Sequence, residues 1–273
     1  MFSTAIIVFR EMLEAGLIVG VVLAASRGTP GRGLAVLWGI MGGLAGAVLV
    51  ALFAGEIADA LDGFGQEFFN AGVLLVAVAM LGWHNVWMKR HGSETARQMS
   101  ALGQAVRSGG RSLQALGVVV GLAVLREGSE TVLFLYGIAA SGGGFWNMAV
   151  GGVVGLVGGA AMGAAIYFGL LRIPTRHLFA VTSAMVLVMA AGMASQAAAF
   201  LVAADVLPPL GSQLWDSSAL VAPDGVLGRA LQSLIGYDAR PAGVQLVAFA
   251  VTLGVIAMMM RFAGRAVPRQ PAG

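Results

Sequence analysis

The sequence predicts an all-α polytopic membrane protein: seven transmembrane helices, arranged as two inverted three-helix repeats plus one C-terminal helix. Three observations predict it: an apolar composition, seven apolar runs long enough to cross a bilayer, and one charged pentapeptide that occurs twice inside those runs. Hydrophobic residues make up 58% of the 273 and charged residues 11%, with a mean hydropathy of +0.87, far from the balance of a soluble domain. The isoelectric point near 9.9 would suggest nucleic acid in a soluble chain. Here the basic residues sit in short loops between apolar spans, where topology accounts for them and nucleic acid is not a partner. There is no cysteine, which excludes disulfides, thiolate metal sites and redox thiols.

A span needs about 20 apolar residues. Seven runs qualify: Phe2 to Ser26, Leu34 to Gly55, Phe68 to Met88, Leu113 to Ala140, Trp146 to Leu171, Leu178 to Ala204 and Gly243 to Phe262. The first carries Arg10, Glu11 and Glu14 and lacks a basic flank before it, so it reads as a retained span and not as a cleaved signal. The loops after spans one, three and five, with the C-terminal tail, hold 12 of the 16 basic residues, whereas the opposite face holds Arg229 and Arg240. The excess of basic residues places the N-terminus outside and the C-terminus in the cytoplasm, with the chain in the cytoplasmic (inner) membrane. The organisation that follows is a first repeat over 1–88, a cytoplasmic loop over 89–112, a second repeat over 113–204, an extracytoplasmic loop over 205–242, and a seventh helix with its tail over 243–273. Within the cytoplasmic loop, Met99, Leu102 and Val106 share one face of the stretch from Ser93 to Arg107, the pattern of an amphipathic surface helix.

A shift of 116 residues superimposes Arg10 on Arg126, Glu11 on Glu127 and Glu14 on Glu130, and it also carries Gly39, Gly42 and Gly43 onto Gly155, Gly158 and Gly159. That is the signature of a duplicated three-helix unit, and because three is odd the copies have opposite orientations. Inverted repeats of this kind place a substrate site near the midplane at their interface. At 1.5 Å per residue Arg10 lies roughly 12 Å from the outer end of span one and Arg126 roughly 20 Å from the inner end of span four, both near mid-depth. Glycine recurs every fourth residue at Gly151, Gly155, Gly159 and Gly163, a close-packing face for another helix.

Charge at that depth is costly: roughly 2.5–3.5 kcal/mol per side chain, or roughly 15–20 kcal/mol for six facing lipid unpaired. The six must face one another or a wet cavity. On each helix the arginine can pair with the glutamate four residues on, and the two glutamates share a face. Facing stripes of four carboxylates and two guanidiniums carry a formal charge of −2, two positive against four negative. Such a site suits a cation, and its oxygen ligands, with neither thiolate nor a nearby imidazole, suit hard or borderline ions such as iron, manganese or magnesium. The competing reading is a pair of structural Arg–Glu clamps, but a clamp needs no spare carboxylate and each motif has two.

Two R-E-x-x-E motifs, Arg10-Glu11-Met12-Leu13-Glu14 and Arg126-Glu127-Gly128-Ser129-Glu130, are where the chain resembles a known family, the high-affinity iron permeases that work with an oxidase or peroxidase. The resemblance extends to Trp87-Met88, to Gly192-Met193 with Gln196, to Trp215-Asp216-Ser217-Ser218, and to Gly236-Tyr237 with Pro241. The family usually has glycine third in the motif; Gly128 keeps it and Met12 departs. The resemblance implies iron import, with Glu11, Glu14, Glu127 and Glu130 as iron ligands or relay groups and Arg10 and Arg126 as their charge partners. It implies iron as the transported substrate, of either valence, without a bound organic cofactor. It also implies delivery by an extracytoplasmic iron-binding or iron-oxidising protein, of ferroxidase or haem-peroxidase type. An E-x-x-H or H-E-x-x-H motif is lacking, so an embedded di-iron or zinc enzyme is not expected.

The outer face adds Glu56, Asp59 and Asp62, spaced by three, with Glu67 nearby: an acidic stripe for cation capture, or a solvated acidic end kept so by topology. His84, near the inner end of span three, aligns with Gln196 in span six if the second repeat has a loop four residues shorter. Both are candidates for polar groups along the pathway; the alternative for the histidine is a structural or solvated interfacial role. Two other functions compete with iron import: a broader divalent-cation or proton-coupled carrier, and a non-transporting membrane scaffold subunit.

Overall fold

In hydrocarbon a backbone must satisfy its own polar groups, so each long apolar run has to fold as a helix. The computed structural model describes residues 1–60, 66–169, 175–223 and 225–265, and all regular structure among them is helical. In chain order the helices are α1 (Phe2–Ala25), α2 (Arg32–Ala60), α3 (Gln66–Arg107), α4 (Leu113–Ala140), α5 (Phe145–Tyr167), α6 (Thr175–Ala203), α7 (Val226–Ile235) and α8 (Gly243–Arg265). Five of them, α2, α3, α5, α6 and α8, contain stretches long and apolar enough to cross a membrane. Helices α1 and α4 are as long, at 24 and 28 residues, and are the two that carry the charged motifs. Large apolar side chains point outward along α2 (Leu37, Trp38, Met41, Leu44) and α5 (Val150, Val153, Val157), a surface that hydrocarbon covers and water would not.

The helices cross-pack. Helix α1 lies against α5 and α4 against α2, while α1, α3 and α4 meet one another. Glycines permit these crossings. A Cβ on Gly43 would sit 2.5 Å from the Gly121 carbonyl oxygen, 2.8 Å from Val124 Cβ and 2.9 Å from Leu125 N; a Cβ on Gly155 would sit 2.5 Å from Ala5 O, 2.9 Å from Val8 Cβ and 2.9 Å from Phe9 N. Residues 121, 124 and 125 are 5, 8 and 9 plus 116, so α1 and α4 keep the expected offset, but Gly43 corresponds to Gly155 at an offset of 112. The expected match of Gly39 with Gly155 is therefore one helical turn out. A glycine stripe that repeats every four residues superimposes on itself after a four-residue slip, which is why the sequence alone chose the wrong register.

The same offset of 112 relates α3 to α6. Leu74, Ala77 and Leu81 of one and Val186, Met189 and Met193 of the other are buried in a single apolar cluster with Ile7, Phe134 and Ile138. The change of offset thus falls between α1 and α2 and between α4 and α5, over 26–31 and 141–144. A second cluster, around Val22, Val36, Val106, Leu116 and Val120, lies toward the opposite ends of these helices.

Helix α3 runs unbroken through 42 residues, roughly 63 Å, so the expected separate amphipathic helix is its continuation. The apolar face of that continuation does not rest on a bilayer surface. Met99, Leu102 and Val106 pack into the second cluster, and at Gly103 a Cβ would come within 2.5 Å of Ala25 Cβ. The end of α1 offers an apolar partner inside the protein, which an isolated amphipathic pattern cannot reveal.

The 205–242 connection contains the short helix α7, ended by Gly236 at φ +67°, a left-handed position that favours glycine. Gly236 closes against Gly192 of α6, where a Cβ would meet the Gly236 nitrogen at 2.5 Å. Tyr237 Oη and Ser217 Oγ are 2.6 Å apart, and Arg240 Nε donates to Asp216 Oδ2 at 3.0 Å. Hydrogen bonds from the Ser218 hydroxyl and backbone N–H, and then the Arg240 guanidinium, hold the Asp216 carboxyl below its ordinary value. A depressed carboxylate stabilises the folded loop above the unfolded pKa and loses that contribution as pH falls through the folded one. Limited proteolysis of the connection is therefore expected to stay constant from neutral pH down to the ordinary aspartate range and to rise below it. Asp216→Asn should abolish that acid-triggered rise.

Candidate metal centre

Helices α1, α3 and α4 bring their charged side chains to one place. Arg10 is 1% exposed and bridges its own motif, with Nη1 3.0 Å from Glu11 Oε1 and Nη2 3.0 Å from Glu14 Oε1. In the second motif Arg126 Nε donates to Glu130 Oε1 at 3.0 Å, and the guanidinium lies over the Trp87 ring, 4.0 Å from its centroid. Both i,i+4 pairs are those that helical spacing requires.

His84 overturns one expectation about the donors. The carboxylates have an imidazole beside them: Nδ1 contacts Glu130 Oε2, and Nε2 lies 3.6 Å from Glu14 Oε2. The histidine is 3% exposed, because α3 descends between the two motifs and presents Leu81 to the apolar cluster just before it. One donor atom each from Glu11, His84, Glu127 and Glu130 lies within 4.8 Å of the others. Glu14 stands beside this group, held by Arg10.

Several donors have nothing to bond. Glu11 Oε2, Glu127 Oε2 and both amide atoms of the buried Asn85 lack a hydrogen-bond partner among the described residues. Glu127, 4% exposed, also has no ion pair there. Buried, unpaired carboxylate oxygens are costly, and a cation at their common centre removes the cost. Three carboxylates and an imidazole form a borderline donor set, suited to ions such as Fe²⁺ or Mn²⁺ and less to Mg²⁺ or Ca²⁺.

Other expected site residues lie elsewhere. Gln196 donates Nε2 to the Gln232 carbonyl at 3.1 Å, at the 205–242 connection and away from the carboxylates. Glu56 and Glu67 are exposed on α2 and α3. Asp59 lies on α2 as its spacing requires, and Asp62 falls outside the described residues. Asn85 was not singled out from the sequence, although an amide next to a histidine within an apolar span carries the same signal of expensive polarity.

The sequence model described as the iron permease FTR1 family matches residues 1–264. The chain is 29% identical over 245 residues to the ferrous iron permease EfeU of Escherichia coli O157:H7, covering 89% of this chain and 88% of that one. It is 29% identical over 278 residues to EfeU of Yersinia pestis, covering 100% and 96%. No solved structure matches the chain. With nearly its whole length, residues 1–264, matched by the family's model, the chain belongs to the iron permease FTR1 family.

Proposed function

We propose that this protein imports ferrous iron across the cytoplasmic membrane through the centre formed by Glu11, His84, Glu127 and Glu130, with Glu14, Arg10 and Arg126 setting the charge around it. As a member of an iron permease family the chain is a multi-pass transporter and not an enzyme. The observation that carries the proposal is the convergence of four donor atoms within 4.8 Å in a buried place. Ferrous iron is what the similar EfeU proteins are named for, and an imidazole among carboxylates favours it over harder ions.

The proposed topology has seven spans, α1 to α6 and α8, with the N-terminus and the 205–242 connection outside. The basic residues of the other face support it. The exchange of partners, α1 with α5 and α4 with α2, at matching glycine contacts supports two inverted repeats with the site on their pseudo-twofold axis. The apolar cluster of Ile7, Leu74, Phe134 and Met193 then closes the outer route, and Arg126, 38% exposed against 1% for Arg10, marks the side toward which the site is more open. Import requires the repeats to rearrange so that the outer cluster parts and the Arg126–Trp87 contact closes. Delivery by an extracytoplasmic iron-binding or iron-oxidising protein fits the outer position of the long connection.

Uptake of radioactive iron into liposomes containing the purified protein, supplied separately as Fe²⁺ and Fe³⁺, tests the proposal. Fe²⁺ should enter, and a protein that moves only Fe³⁺ contradicts it. His84→Asn is expected to lower discrimination between Fe²⁺ and Mn²⁺ about tenfold, because the imidazole contributes most of the preference for the later metal. Competition by Mn²⁺ measured in the same liposomes checks this, and unchanged discrimination removes His84 from the donor set.

A further inference from the structure

A cavity of about 230 Å³ lies beneath α7 on the side of the 205–242 connection, lined by Ser141, Gln196, Gln232, Tyr237, Asp238 and Gln245 among others. At the ~30 Å³ that a water occupies in the liquid, it has room for roughly seven waters, the size of a divalent ion with its inner hydration shell. Its polar wall presents oxygens. Gln196 commits its amide nitrogen to the Gln232 carbonyl at 3.1 Å, and its Oε1 has no hydrogen bond among the described residues. Asp238 accepts the Arg240 backbone N–H at 2.9 Å and Gln245 Nε2 at 3.4 Å. Gln245 is 4% exposed and is anchored by accepting the Ala242 N–H at 2.7 Å, so it holds the carboxylate in place. The cationic side chain two residues on, Arg240, is turned to Asp216 at 3.0 Å. Among the described residues Asp238 has no ion-pair partner.

We infer that this cavity is a second, weaker binding site for a hydrated divalent cation, held by Asp238 and the Gln196 oxygen through water. One carboxylate and neutral oxygens make a low-affinity site that releases its ion readily. Its position makes it a station before the buried centre. Ser141 caps the end of the helix that carries Glu130, eleven residues and roughly 16 Å on, with Phe134 and Ile138 of the apolar cluster between them. An ion waits there, hydrated, until that cluster opens. The inference rests on the inward direction proposed above.

The test uses the full-length protein in nanodiscs and Mn²⁺ as a paramagnetic probe, titrated by electron paramagnetic resonance. Glu127→Gln is included in every sample so that the buried centre contributes least. Asp238→Asn is expected to weaken the remaining Mn²⁺ site about fivefold or more, and Gln196→Glu, which adds a carboxylate to the same wall, to tighten it by a similar factor. In otherwise native protein, Asp238→Asn should raise the KM for Fe²⁺ uptake and leave kcat unchanged. Mn²⁺ binding that is absent, or equal in all three proteins, overturns the inference. Failure of the iron-import reading is seen separately: Glu127→Gln alone would leave uptake intact, whatever happens at Asp238.

Discussion

Glu127→Gln is expected to abolish iron uptake and at the same time to raise the stability of the metal-free protein. The two effects have one cause. Glu127 is buried, one of its oxygens lacks any hydrogen bond, and it has no ion pair among the described residues. Its charge is a burden on the empty protein and an attraction for a cation. The amide keeps the size and shape of the side chain, so packing on α4 is unchanged and only the charge goes. A unit charge about 4 Å from a divalent cation is worth roughly 8 kcal/mol at an effective dielectric of 20, which corresponds to a loss of well over a thousandfold in occupancy. In the metal-free protein, relieving an unpaired buried charge stabilises, so the thermal midpoint should rise. Arg10→Gln makes the contrast. It strips the partner from both Glu11 and Glu14, and breaking a buried pair in this way costs about 3–5 kcal/mol. Uptake assays with thermal unfolding in the same detergent check both. A Glu127→Gln protein that is less stable than the parent would show that the carboxylate is a structural clamp and not a metal ligand.

The seven long helices are legible in the sequence because apolar length is a nearly sufficient cause of a helix in hydrocarbon; the run from Leu113 to Ala140 coincides with α4. The R-E-x-x-E motifs were legible for the same reason, since six charges in such runs must meet one another. What stayed hidden depends on how helices approach in three dimensions. His84 lies near the end of the predicted span Phe68 to Met88, yet α3 continues for 23 residues beyond it to Arg107 and sets it between Glu14 and Glu130. Residue periodicity told which face Met99, Leu102 and Val106 share, but whether that face meets lipid or protein depends on where α1 ends. The ten-residue α7, amphipathic and ended by Gly236, is too short to stand out within a connection that lacks a long apolar run.

Gly43→Ala and Gly155→Ala are each expected to destabilise, by up to about 2 kcal/mol, and Gly42→Ala and Gly152→Ala, one and three residues away on the same helices, to stabilise slightly. A Cβ at 43 or 155 meets main-chain atoms at 2.5 to 2.9 Å, whereas one at 42 or 152 meets nothing within 4 Å. Backbone cannot swing aside as a side chain does, so α2 must part from α4, and α5 from α1. Overpacking of this kind costs about 1–3 kcal/mol, set against the roughly 0.8–1 kcal/mol that alanine gains over glycine as a helix former. At the crowded positions the loss wins; at the open ones only the gain is left. Thermal unfolding of the four variants reads the difference directly. The pairing also bears on transport, because each crossing joins one half of the molecule to the motif-bearing helix of the other. Matched losses at 43 and 155 are what an exchange of equivalent partners requires. A large loss at one and none at the other would mean that the two crossings are unlike, and the pseudo-twofold account of the site would go with them.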